Sequence, residues 1–183
     1  MSLRVLGFAG SLRKSSYNRA LLEAALSLLP EGMSLEITDL GEVPLFNEDV
    51  EAQGIPQPVR SLTQKIGAAD ALLIATPEYN YSIPGILKNT IDWLSRKPDF
   101  PLNGKPTAIM GASMGMTGTA RAQYHLRQVG VATNLLILNK PEVLIAKAHE
   151  KFSAAGELSD EPTRQAVSNL MLALKVWILR LKG

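Results

Sequence analysis

The chain has 183 residues, 46% of them hydrophobic and 20% charged, with a formal net charge of +2; these are the proportions of one globular domain with a sizeable core, here expected to span residues 1–183. It contains no cysteine, which excludes disulfides, thiolate catalysis and cysteine-held zinc or iron–sulfur clusters. The basic residues are scattered rather than gathered on one face, which argues against a nucleic-acid partner. No apolar run reaches bilayer length and no signal peptide follows Met1, so no membrane partner is read and a cytoplasmic location is expected.

In chain order, Leu3 to Ala9 is a short apolar run closed by Gly10-Ser11, a buried strand ending in a turn. Tyr17, Leu21, Ala24 and Leu28 then step at helical intervals until Pro30-Glu31-Gly32. Leu35 and Ile37 alternate with polar neighbours as a second strand. Residues 41–58 read as a long Pro- and Gly-punctuated connection, followed by a helix over 59–69. Ala71 to Ala75 is a continuous apolar strand, typical of a parallel sheet covered on both faces. A loop from Thr76-Pro77 leads to a helix over 84–95, with proline in its first turn. Thr107 to Gly111 is a fourth strand, then a Gly-rich loop and a helix over 119–128. Thr133 to Leu138 reads as the fifth strand. Residues 141–160 carry no clear pattern. Val167, Leu170, Leu174, Ile178 and Leu181 mark a closing amphipathic helix.

Strand–helix alternation of this kind implies an α/β fold with a parallel sheet and right-handed crossovers. Periodicity does not separate dinucleotide-type from flavodoxin-type strand order; the loops do. Ligands sit where chain order reverses, between strands one and three in flavodoxin order. The two most distinctive loops of this chain follow strands one and three. The expectation is therefore a flavodoxin-like three-layer sandwich with a five-stranded parallel sheet of order 2-1-3-4-5.

The loop after the first strand reads Gly10-Ser11-Leu12-Arg13-Lys14-Ser15-Ser16-Tyr17-Asn18. It fits neither G-x-G-x-x-G nor G-x-x-x-x-G-K-[ST], which disfavours a dinucleotide turn and a P-loop. What remains is a hydroxyl-rich entry to a helix, where unpartnered N–H groups and the helix dipole favour an anion. Arg13 adds fixed charge and bidentate donors. This suits a terminal phosphate monoester. The plainer alternative is that Ser16 or Asn18 caps the helix and Arg13 is solvated. In the loop after the third strand, Pro77-Glu78-Tyr79-Asn80-Tyr81-Ser82, the tyrosines and asparagine suit a flat aromatic ligand; the alternative is a packed turn with surface tyrosines.

These segments resemble the NADPH-dependent FMN reductase family, in particular its bacterial quinone and chromate reductase branch. The resemblance is carried by Gly10 to Arg13 with Ser16 and Asn18. It continues through Pro77 to Ser82 with Pro84-Gly85, Leu87-Lys88-Asn89 and Ile91-Asp92-Trp93, and ends with Ser113, Gly115 and Arg121 to Arg127. It implies that Ser11, Arg13, Ser16, Tyr17 and Asn18 contact the phosphate and ribityl of FMN. Glu78, Tyr79, Asn80 and Tyr81, opened by Pro77, would line the isoalloxazine. Ser113, with Gly115 beside it, would approach from the loop after strand four. It further implies NADPH or NADH as co-substrate, ping-pong hydride transfer, and a small acceptor such as a quinone, flavin, chromate or azo compound. Family members are usually homodimers or homotetramers. No catalytic side chain and no metal ligand is expected.

Three other patterns compete. Gly111-Ala112-Ser113-Met114-Gly115 fits G-x-S-x-G between a strand and a helix, the setting of a serine-hydrolase nucleophile. The only histidines are His125 and His149, and Glu142, a few residues before His149, is the only acid between Ser113 and His149 in the chain order such a triad needs, a cramped supply of partners. A flavodoxin-type electron carrier without NAD(P)H activity, and a flavin-free domain of the same fold, are the other two. His125, Arg121, Tyr124 and Arg127 read as a solvated or subunit-contact face.

Overall fold

The computed structural model describes residues 2–96 and 99–183. Its parallel sheet runs β2 (Met33–Thr38), β1 (Leu3–Ala9), β3 (Ala71–Ala75), β4 (Pro106–Ala112) and β5 (Leu136–Ile137). This is the flavodoxin order the loops pointed to. A further strand, β6 (Val143–Ile145), also pairs with β4.

The central strands divide their side chains by the alternation of the pleat. Val5, Ala71, Leu73, Ala75, Ala108 and Met110 face a core shared with helices α1 (Tyr17–Leu26) and α6 (Glu161–Lys182). Leu6, Phe8, Leu72, Ile74 and Ile109 face the other core, with α3 (Gln57–Ala68), α4 (Gly85–Leu94) and α5 (Ala120–Ala132). Two covered faces explain why β3 is apolar at every position.

Two expectations change. The fifth strand was placed over 133–138, but only Leu136 and Ile137 pair, with Pro106 and Thr107. Thr133 instead closes α5, and its N–H donates to Val129 O. Pairing with β4 resumes at Val143, opposite Met110. Pro141, which has no N–H for a ladder, lies in the gap. The connection over 41–58 also holds a short helix, α2 (Glu48–Ala52), capped by the Asn47 side chain.

Candidate functional site

β1, β3 and β4 are adjacent, so the loops at their carboxyl ends stand side by side. Backbone bonds continue the ladder into them. Gly10 N–H donates to Ala75 O at 2.9 Å and Thr76 N–H to Met110 O at 3.0 Å. Gly10 is tightly fitted, since a Cβ there would lie 3.2 Å from Pro84 and 3.3 Å from Pro77.

In loop one (residues 10–16), Ser16 N–H closes a turn on Arg13 O at 3.1 Å. The Ser16 hydroxyl oxygen accepts from Asn18 N–H at 3.2 Å and caps α1. The backbone N–H groups of Leu12, Lys14, Ser15 and Tyr17 take no acceptor among the described residues. Ser11 is buried, and its hydroxyl oxygen accepts from Arg13 N–H at 3.4 Å. Arg13 is exposed, its guanidinium carbon 5.7 Å from the centroid of Tyr17. The Tyr17 ring in turn packs on Phe152, centroids 5.2 Å apart.

Asn18 is buried and its amide is fully engaged. Nδ2 donates to Ala112 O and Oδ1 accepts from Ala112 N–H, both at 2.9 Å. The side chain thus mimics a strand partner for the last residue of β4. It ties the start of α1 to the loop after β4 instead of pointing at open space.

In loop three (residues 76–84), Tyr79 and Ser82 exchange both backbone hydrogen bonds, at 3.0 and 2.9 Å. The two residues between them, Asn80 and Tyr81, have φ of 50° and 67°. Positive φ at both central positions is the signature of a type I′ hairpin turn. It throws Tyr81 outward, 66% exposed, beside Tyr79 at 51%. The Tyr79 hydroxyl reaches Ser11 Oγ at 3.4 Å and spans the two loops.

The turn is pinned to α5 from below. The Glu78 carboxylate accepts from Arg121 N–H at 3.0 Å and Ala122 N–H at 3.2 Å, and pairs with Arg121 Nη1 at 3.0 Å. A carboxylate from a distant loop therefore caps α5, where the helix dipole favours negative charge. The Arg121 guanidinium lies 4.0 Å from the Tyr81 ring centroid, and His125 Nδ1 is 3.0 Å from Ser82 Oγ. Arg121 and His125 thus support loop three from the solvated face of α5. No local pattern reveals this, because the partners lie some forty residues apart.

In loop four (residues 113–119), Ser113 donates its hydroxyl proton to Gly118 O. Ser113 N–H donates to Ile145 O at 2.9 Å, and Lys147 N–H to the carbonyl of the exposed Gly115 at 3.1 Å. No triad forms around Ser113. His125 engages Ser82, His149 lies 3.7 Å from Glu150, and Glu142 pairs with Lys140 at 2.7 Å. The Lys140 ammonium holds the Glu142 carboxyl below its ordinary range.

The sequence-derived set therefore converges on one end of the sheet, with different parts facing different ways. Ser11 and Tyr79 meet between loops one and three, while Asn80 and Tyr81 form the exposed tip of loop three, with the Tyr81 ring over Arg121 of α5. Asn18 and Glu78 are tied to protein partners behind it. Pro77 is buried at the base of loop three, and Tyr17 faces Phe152.

Comparison with known proteins agrees with this geometry. The family model for NADPH-dependent FMN reductase matches residues 3–150. The chain is 54% identical to an NAD(P)H-dependent FMN reductase of Pseudomonas aeruginosa, over 99% of this chain and 98% of that one. It is 41% identical to a quinone reductase of Escherichia coli K12, over 98% and 97%. The solved structure of FerB, a flavoenzyme NAD(P)H:(acceptor) oxidoreductase from Paracoccus denitrificans, superposes with a TM-score of 0.88 at 34% identity, covering 97% of this chain and 98% of that one. Strand order, loop placement and full-length similarity converge, and the chain belongs to the NADPH-dependent FMN reductase family.

Proposed function

We propose that this chain is an NAD(P)H-dependent oxidoreductase that holds FMN across loops one, three and four and passes electrons to quinones or free flavins. The observation that carries the reading is the set of loop-one N–H groups without protein acceptors beside Arg13, facing a tyrosine-bearing turn that α5 holds in place. These residues fit FMN: free N–H donors and a guanidinium suit a phosphate monoester, and exposed rings suit a flat heterocycle.

When bound, FMN supplies the centre that takes hydride from NAD(P)H and returns electrons to an acceptor. The chain's own contribution is position and electrostatics. Ser11, Arg13, Ser16 and the loop-one backbone hold the phosphate and ribityl, with Tyr17 orienting Arg13. Pro77, Glu78, Tyr79, Asn80 and Tyr81 frame the ring, and Ser113 and Gly115 border it from loop four. Asn18 serves by fixing loop four against α1. An exposed turn leaves room for varied small oxidants, chromate and azo compounds among them.

We place the protein in the cytoplasm, consistent with the absence of cysteine, and take residues 1–183 as one FMN-binding domain, since α6 packs on β4 and β6. Association as a homodimer or homotetramer is supported by the exposed apolar side chains Leu172, Val176 and Leu179 on α6, and is read by sedimentation.

Purified protein loaded with FMN is expected to lose its yellow absorbance within seconds to minutes of anaerobic NADPH addition, and a flavin that stays oxidised defeats the proposal. Arg13→Ala is expected to weaken FMN affinity by about 1–3 kcal/mol, the loss of a charge-assisted bond, measured by fluorescence titration.

A further inference from the structure

The buried stripe of α5 is Ala122, Gln123, Leu126 and Gly130. Gln123 is its one polar side chain, and it is only 2% exposed. A leucine or methionine would fill the same space with no polar group to satisfy. Gln123 Nε2 donates to Thr119 Oγ1 at 3.0 Å and to Val143 O at 2.9 Å. Its Oε1 has no partner among the described residues. Turning the amide over gives no relief, because oxygen would then face Val143 O, which can only accept. A buried oxygen without a donor costs stability, so packing alone favours an apolar residue here.

What the glutamine does is join two supports. Loop three rests on α5, where Glu78 accepts from the Arg121 and Ala122 N–H groups and Ser82 meets His125. Loop four rests on β6 and the turn after it. Ser113 N–H donates to Ile145 O and Ala148 N–H to Ser113 O, both at 2.9 Å. Gly118, at φ of 62°, lies so close to β6 that a Cβ there would come 2.7 Å from the Leu144 carbonyl carbon. Among the described residues, the bond from Gln123 to Val143 O is the only hydrogen bond between α5 and β6. Thr119, the other partner of Gln123, is fully buried against β4. A Cβ on Gly111 would collide with the Thr119 hydroxyl and with Thr76 O at the base of loop three.

We propose that Gln123 is a positioning residue for the flavin reaction: its amide locks the support of loop three to that of loop four and so sets the gap between them. It touches neither cofactor nor substrate. Apolar contacts would hold α5 on β6 with similar strength but would let them slide, whereas a directional bond fixes one register. A slip of about 1 Å far from the chemistry can cost about a hundredfold in rate. The inference deepens the reading above and rests on its placing of FMN across loops three and four.

The test is Gln123→Met, close in volume and without donors, with Gln123→Glu beside it. The methionine removes the orphaned oxygen while Val143 O loses its donor, two opposing changes of similar size. Tm of the flavin-free protein is therefore expected to stay within about 3 °C of wild type. The FMN dissociation constant is expected to rise about tenfold by fluorescence titration. With FMN saturating, kcat for NADPH-driven quinone reduction is expected to fall about tenfold while KM stays within about twofold. Hydrogen exchange at Ser113 N–H in flavin-free protein is expected to quicken about tenfold. Gln123→Glu loses the donors as a carboxylate and regains one when protonated, which burial favours. Its FMN affinity is expected to return toward wild type between about pH 8 and pH 6, and that of Gln123→Met is not. FMN affinity and exchange unchanged in both variants overturn the proposal. So does a fall in Tm large enough to account for the lost FMN, or a glutamate variant that does not recover. Hydrogen exchange needs no flavin, so a wild type that binds no FMN while both variants still loosen Ser113 would defeat the oxidoreductase reading and leave the link between the supports standing.

Discussion

Asn18 shows how a single side chain can serve a site without facing it. Its amide replaces a strand at the end of β4, and both of its hydrogen bonds are buried. Truncation leaves the Ala112 N–H and C=O without partners. Asn18→Ala is expected to cost about 2–4 kcal/mol in urea unfolding, above the usual cost of one hydrogen bond, because two buried groups are orphaned. FMN release is expected to quicken in the same variant, since loops one and four lose their tie. The sequence shows that this loop begins a helix and carries donors. It does not show which donors point outward, because the partner of Asn18 lies 94 residues away. Ser16 is the case where the plainer expectation, a helix cap, is present in full, since its side chain accepts from the N–H groups of Asn18 and Arg19 at the start of α1.

At the scale of elements, the turn over 79–82 sets two opposing terms against each other. A tyrosine at φ of 67° costs about 1 kcal/mol or more relative to glycine. The Arg121 contact to its ring is worth about 0.5–1 kcal/mol at an exposed position. Strain wins narrowly, so Tyr81→Gly is expected to leave thermal stability unchanged or slightly raised while impairing flavin binding, measured by calorimetry and fluorescence titration. The helix α6 gives a pH dependence. Hydrogen bonds from the Thr163 hydroxyl, and then from the Lys151 ammonium, hold the Asp160 carboxyl below its ordinary value of 3.8. Its capping contribution is therefore complete above pH 3.8 and is lost as pH falls through the lower folded-state value. Circular dichroism on acid titration is expected to show the start of α6 loosening below pH 3.8, with a shallower acid limb in Asp160→Asn. α6 was legible from its spacing and β3 from its continuous apolar run. β5 was not, because Thr133 to Leu138 looks like a full strand while only Leu136 and Ile137 pair, and Pro141 lies in the gap before pairing resumes at Val143.

For the molecule as a whole, the order of the strands was readable because chemistry concentrates in the loops after strands one and three. A cofactor bound across those loops links parts far apart in the chain, so it acts on global stability. FMN at about a hundred times its dissociation constant is expected to add about 2.7 kcal/mol. For a chain of this length that raises Tm by about 5–10 °C, checked by scanning calorimetry with and without FMN. The interrupted far side of the sheet has its own result. β5 contributes two residues and β6 three, each paired to a different stretch of β4. The Trp177 indole N–H occupies Leu136 O at 2.8 Å, and Arg127 occupies Leu138 O at 3.1 Å. A neighbouring molecule looking for an open margin on this side of the sheet finds only short, plugged fragments, so any such extension is left to β2, the six-residue strand at the opposite edge.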